Sequence, residues 1–259
     1  MKILITGHKG FIGSYLCNHI ENSGVSGIEL DGIDFPDDIG DFKTDKIYDV
    51  VIHLAAFAAL RDSIENPDKF WENNVVKSQP IFDYCRENNV RLLYASSAGA
   101  HGWWQNPYAI TKKVNEIQAP PDSVGMRFFN VWAEEGSRKD MLYRMLQDNT
   151  AKYITRHKRD YVHVHDVTTA ILTLIPSHFT GHLDVGTGES IPVMDIAKAM
   201  GRDLPIKEDT PSEPDSLCAG IKELTDLGWY PTINIMDHLQ RNEHSKLATP
   251  LQEGGQTKT

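Results

Sequence analysis

The serine pair Ser96 and Ser97, Tyr108 and Lys112 fall within the stretch "SSAGAHGWWQNPYAITKK", residues 96–113. A hydroxyl, a phenol and an ammonium are the parts of a proton-transfer centre. A free tyrosine titrates near pH ~10, so a tyrosine that serves as a base near neutrality needs its phenolate favoured by a cation and by hydrogen bonding. Lys112 can supply the charge and a serine hydroxyl the bond. Tyr108 and Lys112, at i and i+4, share one face of any helix that carries both. In isolation such a pair more often decorates a helix surface, and Ser96 and Ser97 can simply end a strand. The choice depends on what precedes them.

Short apolar runs alternate with helical patterns. "KILITG", "GIELDGID", "YDVVIHLAA", "RLLYASS" and "SVGMRFFNV" read as buried strands, separated by stretches such as 11–22 and 63–88. This alternation predicts an α/β fold, a Rossmann-type doubly wound parallel sheet. "ILITGHKGFIGSYL" sets Gly7, Gly10 and Gly13 between the first strand and an amphipathic helix. There, backbone N–H groups and the positive helix end can approach a pyrophosphate. The second strand ends "LDGIDFP", where Asp34 can accept hydrogen bonds from adenosine ribose hydroxyls and repel a 2′-phosphate. Asp31 lies inside the strand, and Lys9 is a cation that could receive a 2′-phosphate; NAD is preferred over NADP. Behind such a loop "RLLYASS" becomes a central strand whose carboxyl end faces the cofactor crevice. A serine of the Ser96/Ser97 pair, Tyr108 and Lys112 then converge on it.

The expected domain division is a dinucleotide-binding domain over 1–133, with 160–178 returning to it. A small C-terminal substrate-binding lobe lies mainly within 134–245, and 246–259 is expected to be a disordered tail, polar and Gly-containing. No internal repeat is visible. The net charge of −10 argues against nucleic acid as a partner. A local exception gathers Arg138, Lys139, Arg144, Lys152, Arg156, Lys158 and Arg159 against only Asp140 and Asp148. By charge alone this is a solvated face; the functional alternative is a pocket for a small polyanion. Three separated cysteines without a CxxC pair argue against a disulfide framework or thiolate zinc site. The start "MKILITG" has no signal-peptide pattern and no apolar run reaches a membrane span, so a cytoplasmic protein with no membrane partner is expected.

In family order, "TGHKGFIGS", "DVVIHLAA", "LRDSIENPDKFWENNV", "YASSAGAHG", "YAITK", "RFFNV", "RDYVHVHDV", "DVGTGES" and "LGWYP" run from residue 2 to about 240. Together they make the chain resemble an extended short-chain dehydrogenase/reductase of the NAD-dependent nucleotide-sugar epimerase/dehydratase family. The resemblance implies Ser97, Tyr108 and Lys112 as catalytic residues. It implies a cofactor site from Gly7, Gly10, Phe11, Ile12, Gly13, Asp34, Asp41, Leu54, Ala55, Ala56 and Asn74, with Tyr108 and Lys112. Arg61, Ser97, Asn130 and Arg159 are implied for the substrate, a nucleotide-diphosphate sugar, which turns the basic island into a phosphate site. Asp41 could instead be a surface-loop carboxylate and Asn74 a packed polar residue. His163 and His165 of "VHVHD" match a structural pattern of the family, and no metal site is expected.

Several features depart from the family. Only five residues separate Gly102 from Tyr108, and the segment from Asp34 to Asp49 is short, which predicts an open sugar pocket. Trp103 and Trp104 fall in the shortened loop, for packing or, less commonly, stacking. The helix from Tyr108 meets "APP" at 119–121 early, which questions the homodimer such relatives form through a helix bundle. The leading expectation is an isomerase, an NAD-dependent epimerase working through a transient keto-sugar at C4. Alternatives are an NAD(P)H-dependent keto-sugar reductase, a nucleotide-sugar dehydratase and a non-catalytic NAD or sugar-nucleotide sensor. Ala98 and Gly99, where dehydratases and decarboxylases place acidic or polar residues, count against those reactions.

Overall fold

The computed structural model describes residues 1–23, 26–33, 39–208 and 212–247. Its centre is a six-stranded sheet in the order β2-β1-β3-β4-β5-β9. Along the chain come β1 (Lys2–Thr6), helix α1 (Phe11–Asn22), β2 (Glu29–Ile33) and β3 (Val50–His53), then helices α2 (Leu60–Glu65), α3 (Pro67–Trp71) and α4 (Gln79–Asn88). Next are β4 (Arg91–Ser97), α5 (Pro107–Gln118), β5 (Val124–Phe128), the short β6 (Asn130–Trp132), α6 (Leu142–Gln147), β7 (Lys158–Arg159) and β8 (Tyr161–His163). Then α7 (Val164–Leu174), β9 (Gly181–Val185), β10 (Ile191–Pro192), α8 (Val193–Ala199), α9 (Lys222–Asp226) and α10 (Ile235–Leu247) follow. Every pairing in the large sheet is parallel.

A parallel sheet is covered on both faces, so its strands read as continuous apolar runs, with alternate side chains serving opposite faces. Ile3, Ile5, Val50, Ile52 and Leu93 join one core with Leu16 and Ile20 of α1 and Val167, Ala170 and Ile171 of α7. Leu4, Val51, Leu92 and Tyr94 point the other way, into a core with Ile81, Phe82 and Cys85 of α4. A separate core joins Trp132, Tyr143, Leu146, Ile154, Tyr161, Ile196, Ile235 and Leu239. The strand β9 completes the sheet beside β5 although it lies in the stretch assigned mainly to the small lobe. Of the expected tail, 248–259 lies outside the described residues.

The span 63–88, read as helical, is broken. After α3, Glu72–Val76 forms a π turn closed by Lys77 N–H donating to Glu72 O at 2.9 Å, and α4 starts only at Gln79, followed by Pro80. Pro80 has no N–H to carry the helix on, and the wide turn aims Asn74 inward. The helix after Tyr108 ends at Gln118, where Pro120 and Pro121 follow. Among the described residues no helix is long and apolar enough to cross a membrane.

A directional relay crosses the sheet near the cleft. Ser78 donates to Asn74 O at 2.9 Å, so its oxygen accepts from His53 Nε2 at 2.9 Å, and His53 Nδ1 accepts from Thr6 Oγ1 at 2.7 Å. His53 has no site for a second proton, and burial holds its pKa down at about 3. The unfolded chain binds that proton below about pH 6.5 and the folded one does not, so stability is full above 6.5 and falls with pH. Urea unfolding should show a loss of about 2 kcal/mol between pH 6.5 and pH 5 that His53→Gln removes. An equal slope in the variant would contradict this.

Candidate active site

A cleft of about 1370 Å³ opens at the carboxyl ends of β1, β3, β4 and β5. It exceeds the roughly 300–1,000 Å³ that suits one small ligand. In such sheets ligands bind where the chain reverses its direction of strand addition, which here is between β1 and β3. Gly7, Gly10, Phe11, Ile12 and Gly13 line this end, facing Leu54, Ala55 and Ala56 after β3.

The glycines are required by close approach. Gly7 has φ +73°, and a Cβ on it would lie 2.8 Å from Ala55 N. A Cβ on Gly13 would lie 2.1 Å from Gly7 O. The loop therefore lets α1 pack directly against β1 and presents the helix start, uncapped by any side chain at Gly10, to the cleft. A pyrophosphate fits this positive end. Asp34 lies outside the described residues. Asp31 is held by Lys46 and Tyr48 at 2.8 and 2.7 Å. Asp41 is exposed and off the cleft wall, whereas Ile39 lines it.

Further along the cleft, Ser97, Tyr108 and Lys112 come together. Asn106 caps α5 by accepting from Ala109 N at 2.9 Å, and Pro107 supplies the preset φ of a first helical residue. Tyr108 thus sits in the first turn, where the helix dipole favours a phenolate. Its backbone N–H donates to Ser63 at 3.1 Å. Ser97 ends β4, accepts from Gly99 N at 3.1 Å, and lies close enough to the Tyr108 phenol to favour its ionised form. Lys112 is 2 % exposed, donates to Ala95 O at 2.8 Å and lies 5.8 Å from the Tyr108 ring centre.

The electrostatics differ from expectation in who acts on whom. Burial raises the Tyr108 pKa, opposed by Ser97 and Arg138, while Asp140 adds to the rise. Burial and then Arg138 bring Lys112 itself down to about 7. Arg138, counted in the sequence only as part of a basic island, is thus a cation felt by both Tyr108 and Lys112. It pairs with Asp140, Nε to Oδ1 at 3.0 Å.

The basic island divides. Arg138, Lys139, Lys152 and Arg159 line the cleft, whereas Arg144 and Arg156 pair with Asp148 and Glu208 away from it. Arg159 is buried and donates to Glu213 at 3.1 Å; Arg61, on the same wall, reaches Glu213 at 3.4 Å. Asn130 lines the wall and donates to Asp160 O at 3.2 Å. Glu213, Tyr153 and His157 complete this end. Sequence reasoning missed them because no local pattern links them to Arg159. Asn74 is buried behind the wall, exchanging bonds with Phe57 N and O at 2.8 and 2.9 Å. His163 caps α7 by accepting from His165 N and meets Glu134 at 3.0 Å, while His165 stacks on His19. Trp103 and Trp104 are exposed and contact each other edge to face.

The family model for the NAD-dependent epimerase/dehydratase family matches residues 3–186. Protein CapI of Staphylococcus aureus is 29% identical over 231 residues, covering 68% of this chain and 69% of its own. A UDP-glucose 4-epimerase of Lactobacillus helveticus is 27% identical, covering 89% and 92%. The crystal structure of the Thermus thermophilus UDP-glucose 4-epimerase in complex with NAD shares the fold with a TM-score of 0.75 at 21% identity, over 96% of this chain and 100% of that one.

Gly13→Ala tests the cradle. With backbone as the obstacle, α1 must move off β1, which should cost about 1–3 kcal/mol in urea unfolding and lower NAD affinity in calorimetry. Unchanged stability and affinity would show that the close approach is not needed.

Proposed function

The chain belongs to the NAD-dependent epimerase/dehydratase family, and from that premise we propose that it is a nucleotide-sugar epimerase acting through a transient keto-sugar at C4. The observation that carries this is the cleft. One wall is a dinucleotide loop, the other carries Arg61, Asn130 and Arg159, and Ser97, Tyr108 and Lys112 line the same space. The described lining has eight Lys and Arg side chains against four carboxylates, in a chain of net charge −10. That local excess suits two diphosphate esters, the cofactor and a sugar nucleotide.

In this reading Gly7, Gly10 and Gly13 admit the NAD pyrophosphate to the start of α1, and Lys112 holds the nicotinamide ribose. NAD, when bound, supplies the hydride acceptor and donor that takes the sugar carbinol to a ketone and back. Tyr108 removes the proton of the sugar hydroxyl and returns it. Ser97 bonds the same phenol and orients the sugar oxygen. Arg159 and Arg61 hold the diphosphate by charge-assisted bonds, with Asn130 beside them. Elimination of water or carbon dioxide calls for a further proton donor beside the sugar. Ala98 and Gly99 offer none; of the four lining carboxylates Asp62, Asp140 and Glu213 are each engaged by a cation, and Glu72 is exposed to solvent. Epimerisation requires only the Ser97, Tyr108 and Lys112 set.

Tyr108→Phe keeps the ring and removes the proton carrier. It should fold and bind NAD while single-turnover NAD reduction falls by at least about 10²–10⁴-fold. Near-normal turnover would reduce Tyr108 to part of a helix surface. Arg159→Ala should weaken sugar-nucleotide binding by about 1.5–3 kcal/mol in calorimetry, with NAD affinity unchanged. Equal losses for both ligands would assign Arg159 a folding role instead.

A further inference from the structure

One turn beyond Lys112, on the same face of α5, lies a carboxylate that the proposed mechanism does not use. The side chain of Glu116 is wholly buried, an environment that raises the pKa of a carboxyl group. Hydrogen bonds from Arg127 and Ser96 overcome that rise and hold it at about 2, so it is a buried anion. Arg127, opposite Ser96 in the β4–β5 register, donates Nε to Glu116 Oε1 at 2.7 Å and Nη2 to Oε2 at 2.8 Å. Ser96 donates to Oε1 at 2.7 Å and Lys113 to Oε2 at 3.1 Å. Both carboxylate oxygens are thereby occupied from three elements.

The position of this cluster gives it a consequence beyond stability. Ser96 is the neighbour of Ser97, and Glu116 is four residues from Lys112 and eight from Tyr108. Lys112 ties α5 to β4 through Ala95 O, and Glu116 ties it again one residue further along the strand. Two adjacent anchors fix both the slide and the rotation of α5 on β4. The distance of the phenol from the Ser97 hydroxyl depends on both. Gly125 lets the layers close at this point, since a Cβ there would lie 2.5 Å from Tyr94 Oη.

We infer that Glu116 is a positioning residue for the active site, a buried ionic clamp that, with Ser96 and Arg127, sets the register between Tyr108 and Ser97. The inference rests on the proposed roles of those two residues. The groups facing Glu116 are Lys113 on its own helix, Tyr94 and Ser96 on β4, Arg127 on β5 and His182 on β9. Those acting on Tyr108 are Ser97, Arg138 and Asp140, with Lys112 near its ring.

The test uses Glu116→Gln, which keeps shape but loses the charged fork, and Ser96→Ala, which removes one bond and leaves the ion pair. Each is first checked for folding by circular dichroism, and Ser96→Ala keeps the test open if Glu116→Gln fails to fold. Tyr108 is titrated by carbon NMR in the full chain labelled at tyrosine Cζ, its resonance assigned with Tyr108→Phe. No substrate is needed. If the clamp sets the register, the Ser97 hydroxyl moves away from the phenol and the inflection of Tyr108 moves upward in both variants, because that hydroxyl favours the phenolate. A downward movement in Glu116→Gln would mean that only a negative charge was lost. An unchanged titration with a lower melting temperature would mean a merely structural ion pair. Either result overturns the inference. Once a substrate is identified, kcat should fall roughly tenfold in both variants with KM little changed, the pattern of lost transition-state alignment. A chain that turns over no sugar nucleotide would contradict the epimerase reading and leave the titration to decide the role of Glu116.

Discussion

The site depends on how α5 is laid across the end of β4. The Lys112 ammonium is buried, 2.8 Å from the carbonyl of Ala95, and that bond is one of two, with Ser96 to Glu116, that tie the helix to the strand. An uncompensated buried cation is costly, and burial with the neighbouring Arg138 charge brings Lys112 to about 7. Tyr108 one turn earlier is likewise disfavoured as an anion by burial. The protein holds two groups in environments that resist their charged forms, side by side. A proton transferred at Tyr108 is therefore responsive to any charge that enters the cleft.

The electrostatic contrast between surface and cleft follows the same logic. A chain of net charge −10 lines its cleft with cations and pairs two of them there, the buried Arg159 with Glu213 and the half-exposed Arg138 with Asp140. Paired cations can stay buried in a low-dielectric site, where an unpaired one would be expelled or neutralised. Their charge-assisted bonds are then directional rather than diffuse. Arg159 shows the arrangement: its guanidinium is set by Glu213, by His157 at 2.8 Å and by Lys158 O at 2.9 Å.

Most of the sheet was legible because buried parallel strands write themselves as apolar runs, and the glycine loop because two of its glycines are imposed by backbone contacts. That Ser97, Tyr108 and Lys112 would line one cleft was legible through i, i+4 spacing and a strand end. What was not legible depends on contacts between distant segments. Glu213 lies 54 residues from Arg159, and nothing local announces their meeting. The 63–88 span read as helical because its apolar spacing survives the π turn at Glu72–Val76. Glu116 did leave a signal, a charged residue one turn past Lys112 on a face that must be buried if Tyr108 and Lys112 are. Its partner Arg127 sits, equally out of place, inside a buried strand.

The central claim is that one cleft oxidises and re-reduces the same sugar carbon. Proton NMR of the purified protein with catalytic NAD and a panel of UDP-, dTDP-, GDP- and ADP-sugars, each carrying deuterium at C4, tests it most directly. The account predicts that one of them approaches an equilibrium of two C4 epimers, with the deuterium retained in both and no net NADH. A product lacking water or carbon dioxide, net consumption or formation of NADH, or loss of the C4 deuterium to solvent would contradict it.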